Sequence, residues 1–286
     1  MNIKFYKMTG AGNDFIFLPG EDNHNLRFDE KLIARMCDRR YGIGADGLIF
    51  IRKSEECDYE IFYFNSDGKP GSLCGNGSRC SLIFANNFYN KKNSYIFKCG
   101  SNLYKGDIIN KTESRFYLNP PSKIKLNFMI KAASQLIKAS FADVGSPHVV
   151  INIQEVAINP KNPLKTYNDL SIFPAYELGK EIRWHKDFEP EGVNVNFITI
   201  NNENEISIRT FERGVEDETF ACGTGSVSSA LISFLNYNLK PPIKLKTKGG
   251  DILTVGFNFE NQQFYNVYLE GPAKIVYSGE YILEEQ

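Results

Sequence analysis

The chain has 286 residues, a formal net charge of −1, and 42% apolar and 23% charged residues, the composition of a soluble globular protein long enough for two ordinary cores. The near-neutral charge leaves no electrostatic footprint for nucleic acid or a membrane surface, and no apolar run reaches spanning length. The opening MNIKFYKMTG lacks the apolar core of a signal peptide, so a cytoplasmic protein is expected.

In chain order, GAGNDFIFL (10–18) reads as a glycine turn running into a strand. DEKLIARMCDRR (29–40) predicts a helix capped by Asp29, with Leu32, Ile33, Met36 and Cys37 on one face. GIGADGLIFI (42–51) and EIFYFN (60–65) are strand-like. CGNGSRC (74–80) then opens a helical run whose inner face is Cys80, Ile83, Phe84 and Phe88. SYIFKC (94–99) and RFYLN (115–119) are further strands, and the prolines of PPSKIKLNF (120–128) mark the best linker.

Much of this order then recurs. GSPHVVINI (145–153) matches GAGNDFIFL, and GVNVNFITI (192–200) matches GIGADGLIFI. After the strand ISIRTF (206–211), ACGTGSVS (221–228) repeats the Cys-Gly-x-Gly-Ser corner. It too opens a helix, with Val227, Ala230, Leu231, Phe234 and Leu235 at helical spacing. LKTKGGDILTVG (245–256) follows Cys222 at the distance by which FKCGSNLYKGDI (97–108) follows Cys74, and NVYLEG (266–271) is one more strand. Four matches in one order predict an internal duplication. Three segments are expected: an N-terminal lobe over 1–122, a C-terminal lobe over 123–272, and a closing strand over 273–286 that returns to the first lobe. Both cysteine helices show few charged residues in their first turns, so both should be enclosed by curved sheet.

Six cysteines (37, 57, 74, 80, 99 and 222) include no CxxC pair, and only three histidines accompany them, which argues against zinc. A cytoplasmic setting argues against a disulfide framework. Cys37, Cys57, Cys80 and Cys99 read as small buried hydrophobes. Cys74 and Cys222 differ, because each sits at a helix mouth, where the backbone presents N–H groups and the dipole favours a thiolate. Either corner alone could be a structural turn. If the two halves face each other, two thiols meet one space, an arrangement suited to inverting a carbon centre. One thiolate removes the hydrogen, the other thiol returns one to the opposite face, and the helix mouths stabilise the developing charge. No cofactor is then called for.

KMTGAGNDF, CDRRYGIGADGL, FNSDG, CGNGSRC, GSPHVV, EGVNVNF, RTFERG, ACGTGS and LEGPA together resemble, in order, the motifs of diaminopimelate epimerases. The resemblance runs from Lys7 to about Gly279. It implies an α+β fold of two pseudo-symmetric lobes, each a barrel-like, mostly antiparallel sheet around a central helix, with the site between them. It implies pyridoxal-phosphate-independent interconversion of LL- and meso-diaminopimelate, in lysine and peptidoglycan precursor synthesis. Cys74 and Cys222 become the acid/base pair, with His148 and Glu212 at positions that tune the thiols. Gly75, Asn76, Gly223 and Thr224 fall where the family binds the reacting carboxylate. Asn13, Asn65, Asn194, Glu212 and Arg213 match residues that hold the distal end, and Tyr277 matches a homodimer contact. No metal, cofactor, nucleic acid or membrane is implied.

Three features depart from the commonest pattern. Gly47 stands where many members carry a glutamine, Ser146 replaces an asparagine, and the stretch between Glu212 and Cys222 is one residue longer. Racemases of proline or hydroxyproline share the cysteine corners, and a redox pair of Cys74 and Cys222 is a reading from another class. GAGNDF and GTGSVSS lack the full fingerprint of a dinucleotide fold.

Overall fold

Period-two patterning dominates the chain, and the computed structural model, which describes residues 2–23, 29–71 and 73–283, is accordingly an α+β fold built mainly of strands. The chain divides into two units, Met1–Tyr117 with Glu270–Gln286, and Leu118–Leu269. Among the described residues, no helix is long and apolar enough to cross a membrane.

The first unit begins with β1 (Asn2–Gly10), β2 (Asn13–Pro19), α1 (Glu30–Cys37), β3 (Gly47–Lys53) and β4 (Tyr59–Asn65). It continues through α2 (Gly75–Phe88), β5 (Ser94–Cys99), β6 (Asn102–Asn110) and β7 (Glu113–Tyr117). Asp29 caps α1 by accepting from the Lys31 N–H, and Ile33, Met36 and Cys37 form its buried face. The second unit holds β8 (Lys123–Ala132), β9 (Gln135–Asp143), β10 (Pro147–Asn152), β11 (Ala157–Asn159), β12 (Asn162–Thr166) and α3 (Ala175–Arg183). β13 (Asn194–Asn202), β14 (Glu205–Glu212), β15 (Asp217–Thr219), α4 (Gly223–Tyr237), β16 (Ile243–Lys246) and β17 (Ile252–Glu260) follow. β18 (Gln263–Pro272) carries the chain from the second unit back into the first, where β19 (Lys274–Ile282) pairs antiparallel with β1.

Three details differ from the sequence expectation. The segment 120–128 is not all linker, because a ten-residue strand, β8, starts at Lys123. Phe88, placed on the inner face of α2, is 43% exposed, since the last turn of that helix runs out of the core. The helix α3 was not anticipated, although Ala175, Leu178, Gly179 and Ile182 are its buried face at i, i+3, i+4 and i+7.

The duplication is visible strand by strand. In the first unit β1–β2 is antiparallel, β2–β3 parallel, β3–β4 antiparallel, β4–β5 parallel and β5–β6 antiparallel. The second unit repeats this series with β9–β10, β10–β13, β13–β14, β14–β16 and β16–β17. Registers coincide as well. Phe15 lies opposite Gly47 as His148 lies opposite Asn194, and Ile49 opposite Tyr63 as Asn196 opposite Thr210. Each unit therefore offers equivalent positions with different residues.

A largely buried helix runs through each unit. α2 is buried from Gly75 to Ala85 and touches β1, β2, β6, β7 and β19; α4 touches β9, β10, β13, β16 and β17. Leu82, Ile83 and Phe84 of α2 are almost wholly buried, each contributing about 2 kcal/mol of apolar burial. Glycine in the first turn brings each helix close to its sheet. A Cβ on Gly77 would stand 2.7 Å from Ile49 Cδ1, and one on Gly225 would stand 2.4 Å from Asn196 Oδ1. Those neighbours occupy the equivalent position on β3 and β13.

The two contacts predict different outcomes for alanine. Ile49 can turn its terminal methyl aside, and alanine favours a helix by up to about 1 kcal/mol, so Gly77→Ala should leave the urea midpoint nearly unchanged. Asn196 is tied by three hydrogen bonds and cannot yield, so Gly225→Ala should cost about 1–3 kcal/mol. Urea unfolding of the two variants beside the parent chain checks this.

Candidate active site

Both singled-out cysteines occupy the same backbone position. Cys74 is the N-cap of α2 (φ −101°, ψ 118°) and Cys222 the N-cap of α4 (φ −112°, ψ 117°). The first intrahelical bonds run from Ser78 N–H to the Cys74 carbonyl and from Ser226 N–H to the Cys222 carbonyl. The N–H groups of Gly75, Asn76, Gly223 and Thr224 thus have no carbonyl within the helix to bond, as for any first turn. Such a mouth favours an anion.

In the first unit, Asn13 and Asn76 surround Cys74. The Cys74 thiol donates to Asn13 Oδ1 at 3.6 Å, and Asn76 Nδ2 donates to the same oxygen at 3.3 Å. Asn76 Oδ1 accepts from the buried Arg79 guanidinium at 2.9 Å, and Asn13 Nδ2 donates to Asp46 Oδ2 at 2.6 Å. Asp46 belongs to a cluster with Asp14, Arg39 and Lys7. Arg39 grips both Asp14 oxygens at 2.7 and 3.1 Å and Asp46 Oδ1 at 2.7 Å, and Lys7 reaches Asp14 Oδ2 at 2.7 Å and the Gly44 carbonyl. Burial raises the pKa of Asp14, but Arg39 and Lys7 outweigh it and hold that carboxyl at about 2. Asp46 is 41% exposed at its side chain, yet desolvation of its packed side and the adjacent Asp14 charge push it up. Sequence reasoning missed Lys7, Arg39, Asp46 and Arg79. The available signal was Arg79, the one charged residue of α2, which is fully buried.

Asn65 ends β4 opposite Gly47, exposed, its backbone closing a turn with Gly68 and Lys69. Gly47 has a local reason. A Cβ there would lie 2.6 Å from the Tyr63 ring, which fills the room a longer side chain would need.

In the second unit, the Cys222 sulfur accepts from Gly225 N–H at 3.4 Å and lies 3.6 Å from Thr224 Oγ1. The proton order behind it follows from one carbonyl. Asn196 Nδ2 donates to Val149 O at 2.9 Å and to His148 Nδ1 at 3.1 Å, so Nδ1 must accept and Nε2 carries the proton. Nε2 then donates to Thr224 Oγ1 at 2.9 Å, as does the Ser146 hydroxyl at 3.1 Å. The remaining Thr224 proton is left for the Cys222 sulfur. His148 is wholly buried, and burial together with the Arg213 charge pushes its pKa down to about 3 despite the Asn196 bond. The structure therefore makes His148 a neutral donor that reaches Cys222 through Thr224.

Glu212, Arg213 and Asn194 form a second group in that unit. Asn194 is buried, donating to the Pro147 carbonyl at 3.0 Å and accepting from the Arg213 N–H at 2.8 Å. Glu212 accepts from Thr219 Oγ1 at 2.8 Å, and the Arg213 guanidinium is 3.5 Å from Glu191. Burial pushes Cys37 and Cys80 up to about 12 and Cys99 up to about 11. Cys57 and Cys99 are only half-buried, short of the expected core position. Tyr277 on β19 is 47% exposed, its ring edge-on to Phe5 with centroids 6.0 Å apart.

This α+β architecture is shared with a solved PhzF-family phenazine biosynthesis protein from Bacillus anthracis. The two match with a TM-score of 0.72 over 99% of this chain and 100% of that one at 14% identity, which establishes a common fold. The diaminopimelate epimerase family model matches residues 5–122 and 140–276. Diaminopimelate epimerase of Chlorobaculum tepidum is 39% identical over 276 residues, covering 95% of this chain and 98% of that protein. The Aquifex aeolicus enzyme of the same name is 33% identical over 288 residues, covering 97% of each. The chain belongs to the diaminopimelate epimerase family, whose members are isomerases.

The buried histidine predicts a pH dependence of stability. Folded, His148 takes up no proton until about pH 3; in the unfolded chain its imidazole does so near 6.5. Below 6.5 the unfolded state binds the extra proton, so stability falls as pH falls, by about 2 kcal/mol between pH 6.5 and 5 from this group alone. Urea unfolding at about pH 7 and about pH 5 should show that loss, and His148→Gln should reduce the slope by this amount.

Proposed function

We propose that this chain interconverts LL- and meso-2,6-diaminopimelate by carrying a proton on and off one α-carbon, with Cys74 and Cys222 as the acid/base pair and no added cofactor. Family membership supports the substrate. The observation that carries the chemistry is the duplicated helix mouth with a cysteine as N-cap in each unit. One thiolate takes the α-hydrogen as a proton, and the C–H electron pair stays on carbon and its carboxylate. The other thiol gives its proton to the opposite face, so one S–H bond forms, one breaks, and only the configuration changes. The backbone N–H groups of Gly75, Asn76, Gly223 and Thr224 suit the charge that grows on that carboxylate. Hydrogen-bond directions favour Cys222 as the resting thiolate, since its sulfur accepts, and Cys74 as the resting thiol, since it donates. The reverse reaction starts with the roles exchanged.

Asn13, Asn65, Asn194, Glu212 and Arg213 are assigned to the distal amino-acid end, with arginine for its carboxylate and glutamate for its ammonium. A second charged head distinguishes this substrate from proline-like ones. Asn194, with its amide held by two backbone groups, serves by orienting Arg213. The enzyme acts in lysine and peptidoglycan precursor synthesis in the cytoplasm, as a homodimer with Tyr277 in the contact. Light scattering should give twice the 32.5 kDa chain mass; a monomer at micromolar concentration would refute the dimer.

The two-cysteine chemistry is tested with single serine variants in deuterated water. Cys74→Ser and Cys222→Ser should each lose epimerisation by about 100-fold or more, since serine cannot serve as a base at neutral pH. Each should still exchange the α-hydrogen of one stereoisomer with solvent, and the two should prefer opposite stereoisomers. Near-normal epimerisation by either variant would return its corner to a structural role.

A further inference from the structure

The hydrogen bonds among the side chains behind Cys74 have an order that the acid/base reading does not use. Reading from cation to carboxylate, Arg79 Nη2 donates to Asn76 Oδ1 (2.9 Å), and Asn76 Nδ2 donates to Asn13 Oδ1 (3.3 Å). Asn13 Nδ2 then donates to Asp46 Oδ2 (2.6 Å). Every bond points the same way, so each amide is polarised by the next and neither can flip without two donors or two acceptors meeting. Arg79 is fully buried, Asn76 is 2% exposed, and Asp46 is pinned by Arg39 at 2.7 Å and by the Asp14 N–H at 3.1 Å. The Cys74 thiol donates into this chain at Asn13 Oδ1.

We infer that Asp46 is a positioning residue for Cys74: its carboxylate locks the Asn13 amide so that the carbonyl, and not the N–H₂, faces the sulfur. An acceptor at that spot stabilises the protonated thiol, whereas an amide N–H turned toward it would stabilise the thiolate. The ion-pair cluster of Lys7, Asp14 and Arg39 holds Asp46 in place and has this orientation as its output. In the second unit the positions equivalent to Lys7 and Asp14 are Phe141 and Pro147, and the cysteine there receives donors. The device is therefore specific to one of the two mouths. Its catalytic consequence rests on the reading of Cys74 as the resting acid, but its effect on the thiol is measurable without turnover.

The experiment is iodoacetamide labelling of the whole protein at neutral pH, with rates read per cysteine by peptide mass spectrometry. The half-buried Cys99 serves as the internal standard. Asp46→Asn should raise the Cys74 rate relative to Cys99 by about threefold or more, the thiolate gain of half a pKa unit. Asn13→Ala should raise it similarly, and the double variant should add nothing further, because both act through one amide. Asp14→Asn leaves the Asn13 side chain its carboxylate partner and should move the rate less than Asp46→Asn. If the Asp46→Asn effect persists undiminished in the Asn13→Ala background, or if Cys74 does not respond, the inference is overturned. Should Asp46→Asn fail to fold, Asn13→Ala decides alone, since it spares the ion pairs: an unchanged Cys74 rate rejects the proposal. Failure of both serine variants to exchange substrate hydrogen, with the labelling result intact, would instead overturn the catalytic reading.

Discussion

The first turn of a buried helix has N–H groups that the helix cannot bond, and each half of this protein is built around that deficit. A serine or aspartate at the N-cap would answer it with its own oxygen. Cysteine answers it poorly, through a long, soft contact such as the 3.4 Å bond from Gly225 N–H to the Cys222 sulfur. What remains is a concentration of positive potential beside a polarisable group that can hold or lose a proton. Enclosure strengthens this, because α2 is buried over its first eleven residues and α4 nearly as fully. Moving either helix would move its own thiol and donors together.

Duplication supplied the scaffold twice, and the equivalent positions have since diverged. Where β2 carries Phe15, β10 carries His148; where β3 carries Ile49, β13 carries Asn196. The second unit thus supports its mouth with a neutral histidine, two hydroxyls and a buried amide, ending in donors to sulfur. The first unit uses two carboxylates, a lysine and an arginine, ending in an acceptor for a thiol. The members that are buried, Lys7 in the first unit and His148 and Asn196 in the second, have partners in hydrogen-bond range, which keeps burial from becoming a penalty.

The legible parts of the sequence were those carried by local pattern. Alternation gave the strands, the spacing after each cysteine gave α2 and α4, and Asp29 marked the start of α1. The α3 pattern was equally local and was passed over amid polar residues. The supporting cluster could not be seen this way. Lys7, Asp14, Arg39 and Asp46 come from four separate segments, and only the pairing of β1, β2 and β3 brings them together. His148 was identified, yet its tautomer and its route to Cys222 through Thr224 depend on the Val149 carbonyl and Asn196. Charged residues make up 23% of the chain, and nothing local marks Lys7 and Arg79 as ones that will be buried.

A symmetric scaffold with asymmetric support has a chemical logic. Two neighbouring thiols with identical surroundings could hold one proton between them, but neither would be favoured as its resting place. Unlike surroundings separate the two affinities, which is how paired titratable groups come to hold opposite protonation states at one pH. A proton acceptor at one mouth and donors at the other are differences of the right sign. The same divergence extends outward along the strands. By register, exposed Asn65 at the end of β4 is the counterpart of Glu212 at the end of β14, beside Arg213. A neutral amide thus stands at one position and a charged pair at the other, so equal backbones carry unequal side chains to the ends of their strands.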